Sequence, residues 1–467
     1  MSIAEKAVEF KQIESEIFGI VCKIGCEMLK NVLEQYDASL CENRDKSLYR
    51  HKGTRKKTIK TIMGEVEFKR SVYETYSEEN GKSFVYLLDK EMKMQGSGFF
   101  SGLLSEFVVK SCCESSFRNA AGNISELTGQ TISHTAAWQV VQNMGEQIEK
   151  KEKDLSQKAR QHKSAGTLES KVLFEEQDGI WLKLQGKSRK EYGISREMKL
   201  AIAYDGSQKI GKNRYRLTNK VACAGFESVN EFVKRKEGVI SEVYNTDEIE
   251  LRFLNGDGAE WIKRSITDET VHFQLDPFHR NKAILNYVKD IKKRKVLMSL
   301  LYKKRTDDLL SCIEAYIDCS EDSEEIEQFS TLLKYFTSNK EGLIPIHRRG
   351  INIPKDKEYR RMGCMESNIF SIIGNRMKGR RACWSIKGAN HLAKLLALKS
   401  TGRLEESISA LTTLVLPEKY TEEISKEFSC SDIPKSIGKG YNGFKNISVF
   451  PATAEYKWLR KLSCIGI

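Results

Sequence analysis

Three aspartates between positions 170 and 280 each follow an apolar run. Asp178 follows VLFEEQ, Asp257 follows ELRFLNG, and Asp276 follows VHFQL. In sheets built from strand-helix repeats, functional side chains gather at the carboxyl ends of strands. Two carboxylates on neighbouring strands could hold Mg2+ or Mn2+, ions that take oxygen ligands and bridge phosphate oxygens. Two such ions about 4 Å apart activate an attacking oxygen and stabilise a leaving one. A third acid completes such a site, and the sequence offers Glu341, Glu358 and Glu366. Glu366 is the best placed of these. It opens an amphipathic helix with Ile369, Phe370 and Ile373 on one side, and it precedes the basic run NRMKGRR.

Each position also has a structural reading. Asp276 precedes Pro277, and Asp before Pro is a helix-cap pattern. His279 then falls in the first helical turn, close to the strand ends, where it assists the site or bonds locally. Asp257 lies in Asn-Gly-Asp-Gly, which suits a turn and a cap. Its flanking glycines are expected to clear space for a metal ion and a phosphate, with Glu260, one turn on, as a fallback ligand. Glu175 and Glu176 precede Asp178, and on a strand Glu176 and Asp178 share a face. Asp178 is preferred because Gly179 follows it.

The elements that must position these residues are legible as a change of period. KVLFEEQDGIWLKLQ reads as one strand pair or a long strand, MKLAIAYDGS and NRYRLTNKVACAGF as a second and a third strand, VNEFVKRKEGVISEVY as a helix, and EIELRFLNGDG and VHFQL as strands each followed by a helix. The pattern predicts an α+β or α/β multidomain chain, with a mixed sheet flanked by helices. Residues 281–340 read as highly charged helices, 343–358 as loop, and MESNIFSIIGNRMKG and GANHLAKLLALK as two later helices.

The 467 residues carry a net charge of +13, and the charge is clustered. Windows 44–70, 280–305 and 376–399 carry +7, +9 and +7, leaving −10 for the rest. A polyanion is the natural partner, nucleic acid first among them, although any single window could be a solvated helix face. Residues 55–74 alternate apolar and polar around Met63-Gly64, a hairpin with a basic face. SFRNAAGNISEL, Thr128-Gly129 and HTAAWQVVQNMGEQI read as a helix-turn-helix capped by Ser133. Trp138 and Val141 would pack it, and His134, Thr135 and Gln139 would face base edges. The plain alternative is an αα-hairpin. No apolar run approaches the length of a membrane span, and the N-terminus lacks a signal-peptide pattern. The 12 cysteines include no CxxC pair. A cytoplasmic, nucleoid-associated protein is expected, with reduced thiols and no membrane partner.

The order Asp178, Asp257, Asp276-Pro-Phe-His279 and GCMESNIFSIIGNRMKGRRACWS, with GEVEFKRSVY and SFRNAA…TGQTISHTAAWQ, resembles bacterial insertion-sequence transposases of the DDE type. It looks closest to the ISLre-two family, related to the Mutator-like group. The resemblance implies a ribonuclease H-like catalytic domain in which Asp178, Asp257 and Glu366 hold two Mg2+ or Mn2+ ions. It also implies a helical insertion between the second Asp and the Glu. His279 would position a phosphate. The motif before the Glu departs from the family in having Cys364-Met365. The implied domains are 1–100 (helix and basic hairpin), 101–150 (helix-turn-helix), 151–170 (linker), 171–400 (catalytic, insertion 281–355) and 401–467. The implied reaction is hydrolysis at an element end, freeing a 3′-hydroxyl that attacks target DNA. Arg376, Lys378, Arg380 and Arg381 would grip the DNA backbone. Trp384 would stack on a base or pack the Glu366 helix. The partners are terminal repeats, target DNA and a second copy in a dimer or larger assembly. A host nuclease of similar fold, or a catalytically dead DNA-binding derivative, are the alternatives.

Overall fold

The computed structural model describes residues 9–77, 81–92, 100–161, 163, 166–212, 214–354, 358–379 and 381–412. Arg380 and most of the 401–467 region therefore lie outside the described residues. The chain forms two compact units, one of residues 1–108, 118–136 and 409–467, the other of 109–117 and 137–408. Among the described residues no helix is long and apolar enough to cross a membrane.

In the first unit, strands β1 (Arg50–Lys60), β2 (Glu65–Ser77) and β3 (Gly81–Val85) form an antiparallel sheet in that order. The expected hairpin is present: Lys60 pairs with Glu65, and Thr61 and Gly64 exchange backbone hydrogen bonds across the turn. Along β2 the period is two, with Val66 and Phe68 buried and Glu65 and Glu67 exposed. The helix Phe10–Asn43 lays Leu29, Leu33, Tyr36 and Leu40 against them, at the three- and four-residue spacing that puts side chains on one helix face. Much of the basic face is neutralised locally: Lys56 pairs with Glu67, Lys52 with Glu74, and Lys57 and Arg70 with Asp89.

Helices Phe117–Thr128 and His134–Arg160 carry the segment read as helix-turn-helix. Gly129 adopts φ +66°, and the Ser133 hydroxyl accepts the Ala136 N–H at 3.1 Å. The second helix runs 27 residues and takes in the first half of the segment expected to link domains. Trp138 does not pack as expected; it is 39% exposed, while Ala137, Val140 and Val141 are buried.

The second unit is built on a mixed five-stranded sheet. Its members are β4 (Val172–Lys183), β5 (Ser195–Tyr204), β8 (Val221–Gly225), β9 (Leu251–Gly256) and β10 (Val271–Leu275), in the order β10-β9-β4-β5-β8. β4 is central, antiparallel to β5 and parallel to β9; β10 is parallel to β9, and β8 antiparallel to β5. The stretch read as a third strand is two. β7 (Arg214–Thr218) leaves the sheet to pair with β6 (Gly206–Gly211), and only β8 joins it. Helices Pro277–Tyr287, Ile291–Tyr302, Thr306–Asp318 and Ser323–Ser338 follow β10. Their apolar faces, with Leu297, Leu309, Phe329 and Phe336, share one core with Phe232, Leu254 and Leu275. A buried ionic cluster ties the helix Ile386–Ser400 to this unit. Lys394, fully buried, reaches Glu152 at 2.6 Å and Glu227 at 3.3 Å. Removing one partner from such a buried pair costs about 3–5 kcal/mol.

Candidate active site

The β4–β9 ladder ends at the pair Gln177–Gly256, and the β9–β10 ladder at Gly256–Leu275. Asp178, Asp257 and Asp276 are thus the next residues on three neighbouring parallel strands, at the level where those ladders stop, while β4 runs on to Lys183 beside β5. From there the three diverge in role.

Asp276 is a cap. Its Oδ1 accepts the N–H groups of Phe278 (2.7 Å) and His279 (3.4 Å), and its Oδ2 accepts from Asn255 Nδ2 at 2.6 Å. This fixes the start of the Pro277–Tyr287 helix, and the first turn carries His279 toward β4. His279 Nε2 lies 3.4 Å from Asp178 Oδ2. Hydrogen bonding to Asp178 raises the imidazole's pKa; burial opposes this, and the charges of Asp178, Asp257 and Asp276 reinforce it.

The third participant arrives from the helix Met365–Ile369, which continues through a π turn, Phe370–Gly374, into Asn375–Met377. Single π turns inside α-helices are frequent at functional sites. Donor atoms of Asp178, His279 and Glu366 all lie within 4.8 Å of one another. Glu341, Glu358 and the exposed Glu260, which reaches Arg264 at 3.6 Å, are not in this group.

Glu176, two residues before Asp178, is fully buried and serves the frame. Its Oε2 accepts the backbone N–H groups of Gly363 (3.0 Å), Cys364 (2.9 Å) and Met365 (3.1 Å). Its Oε1 accepts from the Tyr204 hydroxyl at 2.7 Å and the Cys364 thiol at 3.0 Å. Asn255 Nδ2 lies 3.2 Å from Oε2 and links this carboxylate to Asp276. The departure at Cys364-Met365 has a local account: the thiol bonds the buried carboxylate, and Met365 is buried beside it.

Asp257 stands beside this group. Its Oδ1 accepts the Ala259 N–H at 2.8 Å, and its carbonyl accepts from the Tyr335 hydroxyl at 2.7 Å. Burial raises its pKa, the Ala259 N–H lowers it, Asp178 raises it and His279 lowers it. The glycines around it are closely packed. A Cβ at Gly256 would lie 2.8 Å from Ile262 and 3.1 Å from the Gln177 carbonyl. Gly258 adopts φ +86°, and a Cβ there would lie 2.4 Å from Asn339 Oδ1. At both positions protein stands where a side chain would be.

Sequence reasoning missed Glu197. It reaches across from β5, where it pairs with Trp181, and its Oε1 fills the space a Cβ on Gly179 would take. Burial, then Asp257 and Asp178, raise its pKa, with Lys199 opposing. The only sequence signal for it is the β4–β5 register, which is not readable before the strands are paired. Asn255 and Tyr335 were equally silent.

A family profile described as "Uncharacterised protein family (UPF0236)" matches residues 3–410. The chain belongs to the UPF0236 family. It is similar to the "UPF0236 protein in vanSb 3'region" of Streptococcus gallolyticus, with 24% identity over 412 residues, 86% of each chain. A UPF0236 protein of Caldanaerobacter subterraneus subsp. tengcongensis is 24% identical over 472 residues, 99% of this chain and 92% of that one, and its name joins eleven locus designations. A third relative from the same organism is 23% identical over 477 residues, 98% of this chain and 94% of its own.

In this UPF0236 member the residues expected to contact DNA fall into two groups. His134, Thr135 and Gln139 are exposed on the first turns of their helix, and Lys378 and Arg381 are exposed after the Glu366 helix. Trp384 and Arg376 are instead built into the unit. Trp384 is 8% exposed, and its indole N–H donates to the Met377 carbonyl at 2.8 Å. The Arg376 guanidinium lies 5.4 Å from the ring centres of both Phe117 and Trp384, and its Nε donates to the Cys112 carbonyl at 2.7 Å. These are positions of packing groups, which is the alternative reading for Trp384.

Proposed function

We propose that this protein is a DNA transposase of the DDE type, whose second unit is a ribonuclease H-like domain cleaving and joining phosphodiesters. The observation that carries the reading is the meeting of Asp178, His279 and Glu366 within 4.8 Å, beside Asp257, where the parallel ladders of β4, β9 and β10 stop. The mixed sheet with β4 at its centre, and the run of helices between β10 and Glu366, support it. So does the repetition in the relatives: one protein at eleven loci of one genome is what a self-copying element produces.

The donor set suits the divalent ions expected. Carboxylates of Asp178, Asp257 and Glu366 are the oxygen ligands that Mg2+ takes, and the imidazole of His279 makes the site equally suited to Mn2+. Bound there, such ions would polarise the phosphodiester and activate the attacking oxygen. The chain's own contribution is orientation. Asp276 sets the direction of His279, Glu176 sets the turn that carries Glu366, and Tyr335 holds the backbone at Asp257. His134, Thr135 and Gln139 are assigned to sequence recognition through a helix-turn-helix, and Lys378 and Arg381 to the DNA backbone.

The test uses the full chain, Mg2+ or Mn2+, and a plasmid bearing the DNA that flanks this gene. Wild type should nick at the flanks and join the freed ends to a second plasmid. Asp178→Asn, Asp257→Asn and Glu366→Gln should each lower both steps by more than about 100-fold. Cutting without joining would favour a host nuclease. Full activity in all three variants would end the catalytic reading.

A further inference from the structure

Asp257 and His279 also form one end of a cleft of about 460 Å3 between the Pro277–Tyr287 and Ser323–Ser338 helices. That volume lies within the ~300–1,000 Å3 range of small-ligand sites. Lys282, Asn286, Tyr287 and Lys334 line its walls. Lys289 pairs with Glu324, Lys293 with Glu325 and Lys340 with Asp307, whereas Lys282 and Lys334 have no carboxylate partner among the described residues. Lys292 and Lys295 on the next helix likewise have no ion pair among the described residues, but only Lys282 and Lys334 line the cleft. Two unneutralised cations therefore face a cavity that also offers a phenol ring and a side-chain amide.

We propose that this cleft receives one unstacked deoxynucleotide of the DNA strand, next to the phosphate held at Asp178, His279 and Glu366. The proposal rests on the phosphodiester-cleavage reading and deepens it. A phosphate alone would be met by the two lysines and would leave the cavity unfilled. A nucleotide uses every feature: the lysines take its phosphate, the Tyr287 ring offers a stacking face, and the Asn286 amide reaches a base edge. The position follows from the chain of the substrate, because the cleft starts at the same two residues that border the reacting phosphate.

The test is binding by the full chain in EDTA, where no cutting can occur. The probes are fluorescein-labelled single-stranded oligothymidylate of eight nucleotides and the same backbone with abasic sites. Wild type should prefer the base-bearing strand by about tenfold. Tyr287→Ala and Asn286→Ala should erase that preference, and Lys334→Ala should weaken both probes. Asn286 and Lys334 are exposed, so those variants carry the test if Tyr287→Ala does not fold. Equal binding of the two probes by wild type, or a preference surviving in both Tyr287→Ala and Asn286→Ala, overturns the proposal. Loss through the lysine alone, with no base preference, reduces the cleft to a phosphate site and also overturns it. Cutting with Mg2+ is scored separately. A preserved base preference without metal-dependent cutting would sink the nuclease reading and leave the cleft standing.

Discussion

The carboxylate of Glu176 holds the segment that delivers Glu366: three consecutive N–H groups, of Gly363, Cys364 and Met365, donate to it immediately before Glu366 begins its turn. A buried acid on the central strand thus sets the position of an exposed acid almost two hundred residues later in the chain. Hydrogen bonds to a charged group contribute about 1.5–3 kcal/mol each. Glu176→Gln should therefore lower the unfolding free energy by at least about 2 kcal/mol and abolish cutting, although Glu176 is not among the metal-site donors. Glu366→Gln should abolish cutting at wild-type stability. Thermal melts beside the cleavage assay separate the two, and equal melting temperatures would show that Glu176 is not the frame.

Asp276 should behave as a positioning residue. Asp276→Asn keeps a cap acceptor, whereas Asp276→Ala removes the cap and leaves Asn255 Nδ2 with a lost partner, at a cost of about 1–2 kcal/mol. Cutting should follow the same order, with Asn partly active and Ala inactive. The informative readout is the metal-concentration dependence. The Ala variant should need more Mn2+ than wild type, because His279 is no longer held toward Asp178.

The ends of β9 and β10 were legible because Asp257 and Asp276 each close an apolar run; Asp178 follows one too, but it lies inside β4, which runs on to Lys183. Glu366 was legible because it opens an amphipathic helix. What escaped the sequence depends on register. Glu176 and Asp178 differ by two residues on one face of one strand, and nothing in EEQDG says that the first lies under Met365 while the second meets His279. Glu197 becomes a neighbour of Asp178 only through the β4–β5 pairing. The helical reading of 281–340 held because four amphipathic stretches occur there. The single strand read over 213–226 split because β7 pairs locally with β6, a choice that short apolar runs do not disclose. Arg376 shows the same limit in charge: a basic run names cations without saying which pack against rings, as Arg376 does against Phe117 and Trp384.

The glycines around Asp257 give a stability prediction. Gly258→Ala forces a Cβ into φ +86° and against Asn339, which should cost about 1–3 kcal/mol. Gly256→Ala should destabilise through Ile262 and the Gln177 carbonyl. Chemical denaturation midpoints report this. If both variants kept wild-type midpoints and lost only metal binding, the glycines would be clearing ligand space after all.

Acid sensitivity of the second unit should trace in part to Glu237. Burial alone would raise its pKa, but Arg252 at 2.9 Å and Lys236 at 3.0 Å hold it down to about 2, from 4.5. A depressed carboxylate contributes stability that is fully present above its unfolded value and is lost as pH falls through the folded one. The stability gap between wild type and Glu237→Gln should be constant above about pH 5. It should close between 4.5 and about 2. Urea midpoints across that window measure it, and a gap that widened on acidification would reverse the assignment.

Salt dependence can separate the cations that bind DNA from those that build the unit. Each phosphate contact contributes about one to the slope of log affinity against log salt. Lys378→Ala and Arg381→Ala, both at exposed positions, should each reduce that slope by about one without moving the melting temperature. Trp384→Phe should do the reverse. It removes the indole N–H that bonds Met377 and part of a buried ring against Arg376, costing about 1–3 kcal/mol. The DNA affinity and salt slope of the folded protein should stay at wild-type values. A Trp384→Phe variant with unchanged stability and a weakened complex would return the indole to the DNA, and with it the Arg376 guanidinium stacked on its ring.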